Sequence, residues 1–341
     1  MITLIFSPAI RWPHWTIRLI VRLAVIWLLM AMPARPIFAA DAGLTNARTE
    51  IHFAYSKAMF VDVNENDAKA AAKVYARNIG DQNGIYVNSL PELPDGTNAI
   101  AELVELKKAD VLILTAEEFF AVENLGLEGP LLLSQVQGSY TEDYLLLARA
   151  DSAIGKVEDL PGRSLIVASD ARHSLANAWL EVLCREHGLG PAGGVLARIA
   201  HNSKTSQVVL PVFFGKTDAC IITRAGWEVM CELNPQLKKQ LRVIAVSTPL
   251  VPALTCFRHG FTETFKQKVI TAVDLSSVRP EFKQLMALFK TDSLVCQPTD
   301  VLASTRAFMA RYHQLCAETN KIKIPASETG SAQSGPEGRA K

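Results

Sequence analysis

From residue 50 onward the chain alternates short apolar runs with stretches of helical spacing, the pattern of an α/β protein with mostly parallel strands flanked by helices. IHFAYS (51–56) predicts the first strand. Asn64 or Asn66 then caps a helix that runs through Ile79, and Gly80 closes it in the left-handed conformation. A second strand, IYVNSL (85–90), a helix over 97–107, the strand VLILT (111–115), a helix over 117–124 and the run LLLSQV (131–136) complete one compact lobe.

A new series opens at DYLLLAR (143–149) and continues through SLIVASD (164–170), a helix over 174–187 closed by Gly188, LARIA (196–200), a helix over 204–214, DACIIT (218–223), a helix over 225–233 and LRVIAVS (241–247). These predict a second lobe over 143–251. After PALTCFR (252–258) the chain reads as helical at 262–274, 280–289 and 299–317, with no strand among them. Such helices need a sheet to cover, so they are expected to return to the first lobe. That lobe is then discontinuous, 49–142 and 252–318, and the chain crosses between lobes twice, near 139–150 and 246–258. Residues 321–341 are polar and rich in small residues, and are expected to be disordered.

Before residue 41 the chain carries Arg11, Arg18, Arg22 and Arg35 and no acid, with an apolar run over 23–32. This is the layout of an export signal over 1–40, and a ten-residue run falls short of the roughly twenty a spanning helix needs. An uncleaved anchor remains the alternative. The chain has 35 basic and 34 acidic residues, and 31 against 34 once residues 1–40 are set aside, so binding nucleic acid through its phosphates is excluded. The six cysteines (Cys184, Cys220, Cys231, Cys256, Cys296, Cys316) show no C-x-x-C and no zinc-type His spacing, so no metal site and no cofactor are expected. Any disulfide should lie within a lobe, with at least one free Cys in each.

Four segments resemble the periplasmic solute-binding proteins of type II topology, in the phosphate, phosphite and phosphonate-binding branch of ATP-driven importers: FAYS (53–56), LKKADVLILTAEEF (106–119), VEDLPGRSLIVASDARHS (157–174) and HNSKTSQVVLPVFFGKTDACIIT (201–223). The resemblance implies a two-lobe fold and a ligand held between the lobes. One departure stands out. Where phosphonate-binding members carry a loop rich in Ser, Thr and Gly, this chain has Ala171-Arg172-His173-Ser174-Leu175, which leaves anions other than phosphonate open.

An anion site also follows from elementary physics, because helix N-termini present unpaired N–H groups and partial positive charge. Two helices begin directly after strands of the second lobe, one at Ser174 behind Arg172 and His173, the other near Ser203 behind His201 and Asn202. Arg172 is the strongest candidate, since a planar guanidinium matches an oxyanion; a solvated loop arginine is its alternative. Its removal is expected to weaken binding while leaving thermal unfolding nearly unchanged. Ser174 and Ser203 serve either as caps or as ligand contacts. Tyr55, Ser56, Thr115 and Glu117 end strands of the first lobe, and Thr223 and Arg224 end DACIIT, at the sheet edges where ligands of open α/β folds bind. Asp62 and Asn64 belong to the rim.

No G-x-S-x-G, H-E-x-x-H, Walker or G-x-G-x-x-G motif is present, so no enzyme activity is expected. The reading is a periplasmic, monomeric protein that closes on a small anionic ligand, phosphate, phosphonate or similar, and delivers it to the permease of an importer. A module signalling to a membrane kinase or cyclase, and an enzyme on the same fold, are the alternatives.

Overall fold

The computed structural model describes residues 50–61, 64–83, 86–87, 91–277, 286 and 290–322. The predicted export signal and the tail over 323–341 lie outside the described residues, as does Asp62. In chain order the elements are β1 (Glu50–Ile51), β2 (Phe53–Tyr55), α1 (Glu65–Asn83), β3 (Tyr86–Val87), α2 (Thr97–Glu105), β4 (Val111–Thr115), α3 (Ala116–Val122), β5 (Leu127–Gln135), β6 (Tyr144–Arg149), β7 (Ser164–Ala168), α4 (Ala176–Glu186), α5 (Ala192–Val195), β8 (Arg198–Asn202), α6 (Thr205–Phe213), β9 (Ala219–Thr223), α7 (Arg224–Leu233), α8 (Gln236–Gln240), β10 (Leu241–Val246), β11 (Ala253–Arg258), α9 (Glu263–Ser277), β12 (Ser293–Gln297) and α10 (Ala303–Ile322).

Two five-stranded sheets organise the described residues, in the orders β12-β5-β11-β4-β2 and β10-β6-β9-β7-β8. Each sheet is apolar on both faces because its strands alternate between two cores. In the second sheet Tyr144, Leu146, Val167 and Ile221 face one way, while Leu145, Leu147, Ala168 and Ile222 face the other. The first sheet divides likewise, with Phe53, Tyr55, Val111 and Phe257 opposed to Ala54, Leu112, Leu114 and Cys256.

Strand directions are more mixed than the largely parallel expectation. Only β2 with β4, and β8 and β9 with β7, pair parallel within the two sheets; the other pairs are antiparallel. The strands that carry the chain between sheets cause this. The chain leaves the first sheet after β5, enters the second at β6, and comes back from β10 into β11. The two crossings are tied to each other: the Glu142 N–H donates to Leu250 O (2.7 Å) and the Leu250 N–H to Glu142 O (3.0 Å).

Two sequence expectations change. Gly80 does not end α1, which continues to Asn83; it is buried inside the helix, and α1 packs against α9. Tertiary packing there outweighs the roughly 1 kcal/mol cost of a helical glycine. The cap of α1 is Asn64, whose Oδ1 accepts the Asp67 N–H at 2.9 Å. Between the helices expected after 259, residues 293–297 form β12, an edge strand on β5. Its residues are at most partly buried, so no strongly apolar run announces it. Of the helix expected at 280–289, only Met286 lies among the described residues.

Finally, α10 packs on α4 as well as on α3. Its Met309 joins the core around Tyr144 and Trp179, Arg185 Nη1 donates to Leu315 O (3.0 Å), and Arg311 Nε donates to Glu186 Oε1 (2.9 Å). The last helix thus reaches the second sheet's layer as well as the first, to which the sequence assigns it. All six cysteines are free thiols, and burial pushes those of Cys184, Cys220 and Cys256 up, the first to about 11.

Candidate functional site

The site is built at the end of β7. There the Asp170 carboxylate accepts the Arg172 N–H at 3.0 Å and caps a single 3-10 turn, Ala171–His173. The same oxygen meets His173 Nδ1 at 2.6 Å, and the other oxygen meets Lys290 Nζ at 3.2 Å. His173 is buried and its Nε2 accepts the Thr223 N–H at 3.1 Å, so Nε2 carries no proton and Nδ1 is the donor to Asp170. Burial acts to raise the Asp170 carboxyl, but the hydrogen bonds from His173 and Lys290 and the charge of Lys290 prevail and hold it down at about 2. Tyr144 donates its hydroxyl to Arg172 O at 2.9 Å. The backbone of Arg172 is therefore anchored at both ends, and only its side chain is left to act.

That side chain enters a cavity of about 80 Å³, room for on the order of five waters. Both sheets wall it: Tyr55, Ile113 and Leu294 come from the first, with Met59, Met286 and Pro252 beside them, and Ala171 and Arg172 come from the turn after β7. Polar groups on the wall are Glu142, Ser134, Thr255, Lys290 and Thr291. Arg172 Nη2 is bonded to the Glu142 carboxylate, which is 6% exposed. Burial lowers the Arg172 guanidinium to about 10, against the opposing charge of Asp292, and it remains a cation at neutral pH.

Arg172 and Lys290 also face a second, wider recess of about 450 Å³. Ser203, Lys204 and Thr205 reach it from the start of α6, and Thr223, Ala225 and Gly226 from the start of α7. The Thr223 hydroxyl accepts the Gly226 N–H at 3.2 Å, and a β-carbon at Gly226 would lie 3.1 Å from that hydroxyl, so glycine keeps the cap close. A third recess, of about 470 Å³, is lined by Glu117, Ser174, Asn177, Glu181, Arg185 and Tyr312, among others, and shares no residue with the first two.

The structure divides the twelve sequence candidates among these places. Tyr55 and Arg172 line the inner cavity. His173, Ser203 and Thr223 line the wider recess, although both ring nitrogens of His173 and the N–H and hydroxyl of Thr223 are engaged within the protein. Glu117 and Ser174 belong to the third recess, and Ser174 Oγ donates to Pro252 O at 2.7 Å.

The others have structural partners. Ser56 donates to Glu118 at 2.6 Å and caps the turn at Lys57, while Thr115 forms a capping box with Glu118. His201 meets Asn177 (2.9 Å); Asn202 donates to Gln207 (2.8 Å) and accepts the Lys204 N–H (2.9 Å); exposed Arg224 holds Asp143 (2.8 Å). Sequence reasoning missed Glu142, Asp170, Lys290 and Thr291. Asp170 lay in a quoted motif, but no spacing links Glu142 or Lys290 to Arg172. Among the described residues no group of three or more His, Cys, Asp or Glu could hold a metal, and no helix is long and apolar enough to cross a membrane.

Two mixed sheets, two paired crossings and a cation-bearing cavity walled from both sheets define a two-lobe binding protein of type II topology. The chain matches the family of periplasmic substrate-binding proteins of phosphonate ABC transporters over residues 58–295, and it belongs to that family. The family is periplasmic, works with an ABC importer and binds substrate without turning it over. Its fold is similar to that of a binding-protein component of an ABC phosphonate transporter from Pseudomonas aeruginosa (15% identity, TM-score 0.55, covering 82% of this chain and 91% of that one). It is also similar to PhnD1 from Prochlorococcus marinus in complex with methylphosphonate (13%, TM-score 0.51, 80% and 99%) and to XAC2383 from Xanthomonas citri bound to ATP (15%, TM-score 0.55, 79% and 98%). No curated protein sequence matches the chain.

Proposed function

We propose that this protein captures a small oxyanion, a phosphonate or a phosphate, in the cavity at Arg172 and delivers it to an importer permease. The lobes are taken as 49–142 with 252–318, and 143–251, closing about the paired crossings at Glu142 and Leu250. The observation that carries the reading is that two cations, Arg172 and Lys290, meet in one small cavity whose walls come from both sheets. A ligand seated there touches both lobes, so its differential contacts favour the closed form.

The cavity's volume favours a methylphosphonate-sized ligand over a nucleotide. Micromolar affinity needs about 8 kcal/mol, and a guanidinium and an ammonium with hydroxyls of the cavity wall, each about 1–3 kcal/mol when charge-assisted, supply that scale. Calorimetric titration with methylphosphonate and inorganic phosphate tests the reading. Binding at or below the micromolar range, weakened about a hundredfold in R172A, is the expected result; no heat with either anion and no shift in melting temperature overturns it.

A further inference from the structure

The cavity's two cations are not free to greet a ligand. Arg172 is bonded to Glu142, and Lys290 to Asp170, which also serves His173 and the Arg172 N–H. Glu142 and Arg172 both line the cavity, at 6% and 19% side-chain exposure. Glu142 is fixed from behind, because its backbone N–H and C=O both bond to Leu250 on the other crossing. Its carboxylate is thus held, by a rigid backbone, on the guanidinium that the proposed ligand would use.

We infer that Glu142 is a built-in counter-anion: it occupies the Arg172 guanidinium when the cavity is empty and competes with the incoming anion, so that it sets the affinity of the site. The inference rests on the anion-binding role proposed above. A buried carboxylate on a buried guanidinium neutralises a charge that would otherwise be stranded in low dielectric. An entering anion must first break that pair, and the loss is subtracted from its own attraction to Arg172. Among the described residues Lys290 is the other cation on the cavity wall, and Asp170 already holds it, so a displaced Glu142 finds no ready partner.

A competitor has a signature that neither a structural residue nor a ligand contact shares. Removing its charge should destabilise the empty protein and strengthen binding together. Glu142→Gln keeps the shape and removes the charge; Glu142→Asp keeps the charge and withdraws it by one methylene, and serves if the first variant folds poorly. Calorimetry would be run with methylphosphonate and with 2-aminoethylphosphonate on wild type, E142Q, E142D and R172A/E142Q, alongside thermal unfolding without ligand.

The expected result is that E142Q binds methylphosphonate about tenfold more tightly, about 1.4 kcal/mol, yet melts at a lower temperature when empty, with E142D between it and wild type. The gain should vanish in the R172A background. Unchanged or weaker methylphosphonate binding by E142Q overturns the inference, as does selective weakening of 2-aminoethylphosphonate, which would make Glu142 a partner of the ligand's amine. If neither probe nor inorganic phosphate binds wild type or E142Q, the oxyanion reading itself falls and this inference with it.

Discussion

Two recesses of this molecule draw on elements of both sheets' layers, and they are chemically opposed. The cavity at Arg172 carries two cations, Arg172 and Lys290, against one carboxylate, Glu142. The recess between α3, α4 and α10 carries the carboxylates of Glu117 and Glu181, with Arg185 held by Glu181 at 2.5 Å. Sequence reasoning placed Arg172, Ser174 and Glu117 in one cleft; the fold separates them. Arg172 and Ser174 are two residues apart on helical backbone, and positions i and i+2 do not share a face. Proximity along the chain therefore argued for the wrong neighbours, while Glu142, thirty residues away, is the group that touches Arg172.

The sharpest way to break this contrast is to remove the central cation. R172A should weaken methylphosphonate binding about a hundredfold, the loss of about two charge-assisted hydrogen bonds. The structure also revises the expectation that R172A leaves unfolding unchanged. It strands the Glu142 carboxylate, and breaking a buried pair costs about 3–5 kcal/mol. Adding E142Q should recover most of that stability without restoring binding. Denaturant unfolding with calorimetry on both variants checks this, and an R172A protein as stable as wild type contradicts it.

The anchor beneath the cavity comes next. With its folded value held down at about 2, below the ordinary 3.8, Asp170 stabilises the fold above pH ~4, and the stabilisation, about 2 kcal/mol, is lost as pH falls toward 2. D170N should be less stable than wild type by that amount at neutral pH, and the difference should shrink between pH 4 and 2 in urea titrations. A gap that stays constant with pH would mean the charge is not the cause.

Smaller effects belong to the margins. The Lys290 side chain is 59% exposed, so K290M should weaken binding only about threefold, and less at high salt. The least effect is expected far from the cavity: E117Q and R224A should leave the dissociation constant within about twofold. A tenfold change in either would merge the recesses that the fold keeps apart.

How much of this was legible beforehand differs between regions. In the second sheet the expected strands and helices lie within about two residues of those observed, because the strands other than the edge strand β8 are largely apolar runs separated by turn residues. Strand β5 shows the opposite case. It extends back through Gly129 and Pro130, residues that disfavour a strand, because its pairing with β11 shifts register at that point; a β-carbon at Gly129 would stand 2.8 Å from Thr299 Cγ2. The edge strand β12 offers an apolar run of only three residues, Leu294 to Cys296, too short to stand out between helical stretches. Within the site, Arg172 could be singled out by residue type and place. The fate of the hydroxyls could not, since Ser56 and Thr115 are claimed by Glu118 and Ser174 by Pro252 only once the chain is folded.

Alone, the sequence determined the α/β alternation, the family resemblance and the loop at the end of β7 that carries Arg172, because these are set by local periodicity, turn chemistry and contiguous motifs. The tertiary structure decided which way each strand runs, where α10 docks, and which charge meets which. Electrostatic and packing partners are chosen by distance in space, and groups separated by 30 residues (Glu142 and Arg172) or by 120 (Asp170 and Lys290) leave no periodic trace along the chain.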